Sequence, residues 1–321
     1  MSASAFAFVF DLQGHRGARG LAPENTLLAF ERALAIGVST LELDCAVTKD
    51  GVVVISHDPE LNPDITRDDN GGWLAATGPA IAQLTLAELH RYDVGRIKPG
   101  SRYEQRFPRQ LGADGIRIPR LAELFELVKR SGNDSIRFNI ETKISPEAPS
   151  QTLEPEAFAR AIIAEITRAG LTKRAVIQSF DWRTLKVVQA ESPEIATVYL
   201  TAQETWLDTI QANRESGSPW TAGITLAQAG SVPKMVKLAG GRIWSPYFGG
   251  LTRAQLDEAH TLGLAVIVWT VNERTDIERM IELGVDGLIS DYPDMARSVM
   301  AARRMPLPPS TPLAPPVTRD P

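Results

Sequence analysis

Gly14-His15-Arg16-Gly17, Pro23-Glu24-Asn25-Thr26, Glu42-Leu43-Asp44 and His57-Asp58 bring two imidazoles, a guanidinium and several carboxylates together near the start of the chain. These groups are what metal-assisted cleavage of a phosphate ester needs: a proton acceptor, a proton donor, planar donors for phosphate oxygens, and oxygen ligands for a hard cation. Two of the four histidines fall in this segment, whereas His90 and His260 sit in ordinary helical patterns.

Glu42 and Asp44 are two residues apart in a β-branched, apolar run, so on a strand they share one face while Leu41, Leu43 and Cys45 take the other. In a barrel that face points inward. Two carboxylates buried side by side call for a positive centre between them, and a divalent cation held by oxygens supplies it; an exposed pair on an edge strand is the alternative. Glu141, in Arg137-Phe-Asn-Ile-Glu-Thr-Lys143, offers a third oxygen. Lys143 lies at i+2 from it and serves either as a point charge for phosphate or as a plain ion-pair partner of Glu141.

His15 follows the first strand inside a glycine-rich turn, and His57 ends the Val52–Ser56 run that returns as a hairpin after Lys49-Asp50-Gly51. A single histidine at a strand end has a structural explanation. A pair converging on a carboxylate cluster provides one proton acceptor and one donor on opposite sides of a phosphorus atom. Arg16 offers planar donors to phosphate oxygens. Asp58 either orients His57 or forms a turn before Pro59. Asn25 or Thr26 fits the N-cap of the first helix; alternatively Glu24 or Asn25 fixes the loop or contacts the metal or phosphate region.

The elements that must position these groups alternate along the chain. Strand-like runs lie at Phe8–Leu12, Thr40–Val47, Ile136–Glu141, Ala175–Ser179, Ala196–Leu200, Arg242–Ser245, Ala265–Thr270 and Gly287–Ser290, with helical patterns such as Thr26–Ile36, Glu156–Ala169 and Asp276–Leu283 between them. Eight strands alternating with helices predict an α/β fold, a (β/α)8 TIM barrel. An open doubly wound sheet is the alternative, but no Gly-x-Gly-x-x-Gly turn follows an early strand. Pro59 to about Ile118 breaks the alternation as a small irregular insertion after the second-strand hairpin. Its stretch from Arg91 to Arg120 holds eight basic residues against three acids, either a solvated face or a cap that steers an anionic substrate. The expected organisation is one barrel domain over residues 1–304, with a tail at 305–321 whose seven prolines predict disorder.

With 321 residues and 43% hydrophobic content the chain can bury a large core, and a net charge of -5 argues against nucleic acid as a partner. The lone Cys45 rules out an intrachain disulfide and suits a reducing, cytoplasmic location; a periplasmic or secreted one applies if Met1–Phe10 is a trimmed signal instead of the lead-in to the first strand. The longest apolar run, around Leu264 to Val271, falls short of the roughly 18 residues of a membrane span.

At these residues the chain resembles the glycerophosphodiester phosphodiesterase family, through His15-Arg16-Gly17, Pro23-Glu24-Asn25-Thr26, Glu42-x-Asp44, Thr48-Lys49-Asp50-Gly51, His57-Asp58, Glu141-Thr-Lys143, Trp269-Thr-Val-Asn272 and Asp286-Gly-Leu-Ile-Ser-Asp291-Tyr-Pro293. The resemblance implies the (β/α)8 barrel with its insertion, and one Ca²⁺ or Mg²⁺ held by Glu42, Asp44 and Glu141. It also implies acid and base roles for His15 and His57, phosphate contacts from Arg16 and Lys143, and hydrolysis of a small glycerophosphodiester to sn-glycerol 3-phosphate and an alcohol. Trp269 then forms an apolar wall against glycerol, or is simply barrel core. The long basic insertion departs from simpler members and leaves headgroup preference open. A phospholipase D-like enzyme acting on lysophospholipid or sphingomyelin is the rival reading; it would need an exposed apolar entrance, which the insertion does not offer. A non-catalytic binding module would be expected to lack a histidine or a carboxylate, and this chain lacks neither.

Overall fold

The computed structural model describes residues 10–313. Its parallel strands are β1 (Asp11–Gly14), β2 (Thr40–Val47), β3 (Arg137–Thr142), β4 (Ala175–Ser179), β5 (Ala196–Thr201), β6 (Ile243–Pro246), β7 (Ala265–Val268) and β8 (Gly287–Ser290). Each pairs with the next, and β1 pairs with both β2 and β8, which closes the sheet into an eight-stranded barrel wrapped by helices. The strands alternate with helices because continuous apolar runs must be covered on their outer face, where Leu41, Leu43 and Cys45 join the main core. The expected strands match, except that β1 starts at Asp11, where its register with Gly287 begins. Of the expected lead-in Met1–Phe10, only Phe10 lies among the described residues.

The barrel interior is partly polar. Asn139 donates to Gln13 Oε1 at 2.8 Å and to Gln178 Oε1 at 2.9 Å, and Gln178 donates to Glu42 Oε1 at 2.6 Å. The amides thus bond one another, Asn139 Oδ1 alone lacking a partner, in a chain that ends on a carboxylate at the C-terminal mouth of the barrel, where βα-loops build sites.

Val53–Ile55 turns back antiparallel to β2 and launches the insertion, which has a core of its own around Val54, Leu61, Ile81, Leu89, Val94 and Ile118. Much of its basic excess is locally balanced: Arg91 pairs with Asp69, Arg96 with Asp114, and Arg109 with Asp294. These acids lie mostly outside the window that looked basic in sequence. Arg106, however, lines the cavity at the barrel mouth.

The expected tail departs from disorder over its first part. Thr311 N–H donates to Leu34 O at 2.9 Å, Arg297 Nη1 to Pro308 O at 2.6 Å, and Met305 and Leu313 pack on the main core. Prolines have no N–H to satisfy, so a short strap can dock through one carbonyl, the Thr311 N–H and a few side chains. Residues 314–321 of that tail lie outside the described residues. Among the described residues no helix is long and apolar enough to cross a membrane.

Candidate active site

A cavity of about 650 Å³ opens at the C-terminal ends of the strands, lined on one side by His15, Arg16, Glu42, Asp44, Glu141 and Lys143. The turn after β1 is built for close approach: a Cβ at Gly14 would lie 2.1 Å from Gly17 O, and Gly17 has φ +84° with Ala29 backbone against it. Arg16 and Asn25 both hold left-handed backbone, at φ 50° and 55°, a conformation that costs a non-glycine residue on the order of 1 kcal/mol. In return the Arg16 N–H donates to Glu42 Oε2 at 2.9 Å, and its guanidinium meets Glu24 Oε1 at 2.6 Å and Asp44 Oδ2 at 3.2 Å. Burial opposes the charge of Arg16, but Glu24 and Asp44 overcome it and push its pKa up.

Thr26 is the N-cap of the helix Leu27–Ile36, accepting from Ala29 N–H, so Asn25 is released from capping. Asn25 Nδ2 instead donates to Asp44 Oδ2 at 2.9 Å. Glu24 joins Arg16 to the insertion, since Tyr103 Oη donates to its other oxygen.

Oxygens of Glu42, Asp44 and Glu141 lie within 4.8 Å of one another. Two ligands each about 2.4 Å from one cation are at most about 4.8 Å apart, so the triad fits a shared hard cation. Asp44 Oδ1 supports this: it is buried and has no hydrogen-bond partner. The electrostatics show the same strain. Burial and the neighbouring Asp44 raise the Glu42 pKa well above the usual carboxylate range. Burial and Asp44 also raise Glu141, to about 7, although Lys143 Nζ sits 2.9 Å from its Oε1 and opposes the shift. Burial would raise Asp44 too, but Arg16 and Lys143 hold it ionised. Glu42, Asp44 and Glu141 could therefore hold a divalent metal.

Each histidine has a carboxylate behind it. His15 Nδ1 lies 2.6 Å from Asp291 Oδ1, and its Nε2 lies 3.9 Å from Glu42 Oε2. Asp291 is itself fixed by Arg19, at 2.8 Å and 3.1 Å, and by Asn272 Nδ2 at 2.7 Å. His57 Nδ1 lies 2.7 Å from Asp58 Oδ1, and Asn62 Nδ2 holds the other oxygen at 2.8 Å. With Nδ1–H given to aspartate, Nε2 of each ring keeps its lone pair free. Burial lowers the His15 pKa to about 4, against the pull of Asp291. Burial, Arg16 and Lys143 lower that of His57.

Trp269 lines the cavity, its indole N–H donating to Ser245 O at 2.9 Å. All ten expected site residues therefore lie at or directly behind one mouth, Glu24 and Asn25 acting from behind Arg16 and Asp44. Sequence reasoning quoted Asn272 and Asp291 in the family motifs without giving either a role, and it missed Arg19, Gln178 and Tyr103 as parts of this assembly. Asp291 had a signal, a carboxylate immediately after a strand; Gln178 is on a strand with nothing to separate it from barrel filling.

Residues 15–295 match the family model described as the glycerophosphoryl diester phosphodiesterase family. A glycerophosphodiester phosphodiesterase of Caldanaerobacter subterraneus subsp. tengcongensis is 29% identical over 282 residues, covering 87% of this chain and 93% of that protein. A putative glycerophosphoryl diester phosphodiesterase of Silicibacter pomeroyi superposes with a TM-score of 0.82 at 36% identity, over 92% of this chain and 95% of that one. A phosphodiesterase of Oleispira antarctica, solved in complex with the product sn-glycerol-3-phosphate, shares the fold with a TM-score of 0.65 at 22% identity, over 92% and 99% of the two chains.

Proposed function

The chain belongs to the glycerophosphoryl diester phosphodiesterase family, and from that premise we propose that it hydrolyses glycerophosphodiesters to sn-glycerol 3-phosphate and an alcohol. The observation that carries the reading is the convergence, in one cavity, of two aspartate-backed imidazoles on three buried carboxylates flanked by Arg16 and Lys143. Glu42, Asp44 and Glu141 would hold one Ca²⁺ or Mg²⁺. When bound, such an ion supplies Lewis-acid polarisation of the phosphoryl oxygen. Arg16, locked by Glu24 and Asp44, and Lys143, set beside Glu141, present fixed positive charge to the phosphate as negative charge develops. One histidine takes the proton of the nucleophile through Nε2; the other, protonated on Nε2 when the anionic phosphate is bound beside it and held as an imidazolium by its aspartate, delivers that proton to the leaving alkoxide. Asp291 and Asp58 hold the tautomers that leave Nε2 available.

The test is release of glycerol 3-phosphate from glycerophosphocholine and glycerophosphoethanolamine, with and without chelator. Turnover that stops in chelator and returns with Ca²⁺ or Mg²⁺ is expected; no release from either substrate would overturn the reading, and chelator-insensitive release would remove the metal from it.

Asp291→Asn should lower kcat by about 10- to 100-fold, because the amide no longer enforces the His15 tautomer. A shifted acid limb of the pH–rate profile accompanies that loss if Asp291 acts through His15; a uniform drop with an unchanged profile would reduce it to scaffolding.

Metal-linked stability has a definite sign. Glu141 has a folded pKa near 7, above its usual 4.5, so the stability it contributes is full below pH 4.5 and is lost as pH rises through 7. A bound cation offsets the burial and the like-charge repulsion behind that loss and competes with protons. The gain in Tm on adding saturating Ca²⁺ or Mg²⁺ is therefore larger at pH 8 than at pH 5, and equal gains at both would argue against Glu141 as a ligand.

A further inference from the structure

The cavity has two chemically different ends. Beyond the polar groups it is walled by Phe180, Trp206, Trp220, Tyr247, Phe248 and Trp269. We propose that this aromatic end is a subsite for a methylated ammonium headgroup, so that choline-type glycerophosphodiesters are preferred over ethanolamine-type ones; the proposal rests on the phosphodiesterase reading above.

Three of the rings stand steeply to one another: Trp206 and Tyr247 at 5.2 Å and 84°, Trp206 and Trp269 at 6.1 Å and 86°, Tyr247 and Trp269 at 5.5 Å and 61°. Rings set this way form a corner, and all three line the same cavity. A cation in the hollow of such a corner lies within roughly 6 Å of each ring centre, the range in which a π face attracts it. Trp206 is 58% exposed and is carried by a minimal hairpin, Gln203–Glu204 against Leu207–Asp208, so it fills no core.

Charge and shape favour a cation over an acyl chain. Acidic side chains lie near the aromatic end: Glu204 is two residues before Trp206, and Glu147 takes its hydrogen bonds from neutral donors, Trp220 Nε1 at 3.3 Å and Gln211 Nε2 at 3.1 Å; Arg279 sits over Phe248 at 5.6 Å, which is not one of the three corner rings. Among the described residues the exposed large apolar side chains are Leu111, Trp206, Leu238 and Leu307, and only Trp206 lines the cavity. The aromatic end also begins where the phosphate contacts stop. Lys143 Nζ lies 6.0 Å from the Phe180 ring, which meets Trp269 at 5.3 Å, so Phe180 links the two ends.

The test compares kcat/KM for glycerophosphocholine, glycerophosphoethanolamine and the uncharged 3,3-dimethylbutyl isostere of the choline ester, in the wild type, Trp206→Ala and Trp206→Phe. About tenfold preference for choline over both others is expected in the wild type. That ratio should fall toward one in Trp206→Ala and largely survive in Trp206→Phe. A wild-type ratio near one, an isostere as good as choline, or an unchanged ratio in Trp206→Ala would overturn the proposal. If no diester is hydrolysed, the phosphodiesterase reading fails on its own. Calorimetric titration with tetramethylammonium then decides the subsite: weaker binding to Trp206→Ala supports it, and equal or absent binding in both proteins overturns it.

Discussion

Asp44→Asn should abolish tight binding of Ca²⁺ or Mg²⁺ and lower glycerophosphodiester turnover by roughly 10³-fold or more, the scale of losing Lewis-acid stabilisation worth several kcal/mol. The substitution removes one charge and little else. Asn25 and Arg16 contact Asp44 Oδ2, an oxygen that the new amide retains, whereas Oδ1 is the buried atom without a partner. Because Asp44 is the like charge that helps raise both Glu42 and Glu141, its loss also eases those two toward ordinary ionisation. The expected result is a folded protein whose Tm no longer responds to the cation at pH 8. Calorimetric titration with each cation checks it directly, and wild-type affinity in the variant would move the metal away from the triad.

His15→Ala and His57→Ala should each reduce kcat by about 10²- to 10⁴-fold, the usual contribution of a positioned proton-transfer group. Cation affinity should stay close to wild type in both, which separates this loss from that of Asp44→Asn. His15 Nε2 is 3.9 Å from Glu42 and His57 reaches only Asp58 within its own loop, so neither ring is needed to assemble the triad. Groups that act as a unit are not additive, so the double variant should be little slower than the worse single one. Full activity in either single variant would take that histidine out of the chemistry, and a multiplicative double variant would mean that the two do not serve one step.

Much of the fold was legible because burial on both faces leaves a plain mark: Ala265-Val-Ile-Val268 and Thr40–Val47 read as continuous apolar runs, and helices with glycine ends separate them. Residues 59–118 stood out by breaking that rhythm. Their charge was harder to interpret, since the acids that neutralise Arg91 and Arg109 are Asp69 and Asp294, outside the basic window. The docking of 305–313 was hidden because its composition satisfies a disorder pattern while Pro308 O accepts from Arg297 and Thr311 N–H donates to Leu34 O.

For the site, the amino-acid types and their strand-end positions determined the kind of chemistry, because period-two geometry alone puts Glu42 beside Asp44 and Glu141 beside Lys143. Only the tertiary structure decided how those groups are tuned. Asp291 is 276 residues from His15 along the chain, Gln178 is 136 from Glu42, and Tyr103 is 79 from Glu24, yet these contacts fix a tautomer, an oxygen of the carboxylate triad and the arginine clamp. Burial and through-space charge set the protonation of Glu42, Glu141 and both histidines. Neither quantity exists until the barrel closes and brings β1, β2, β3 and β8 to one mouth.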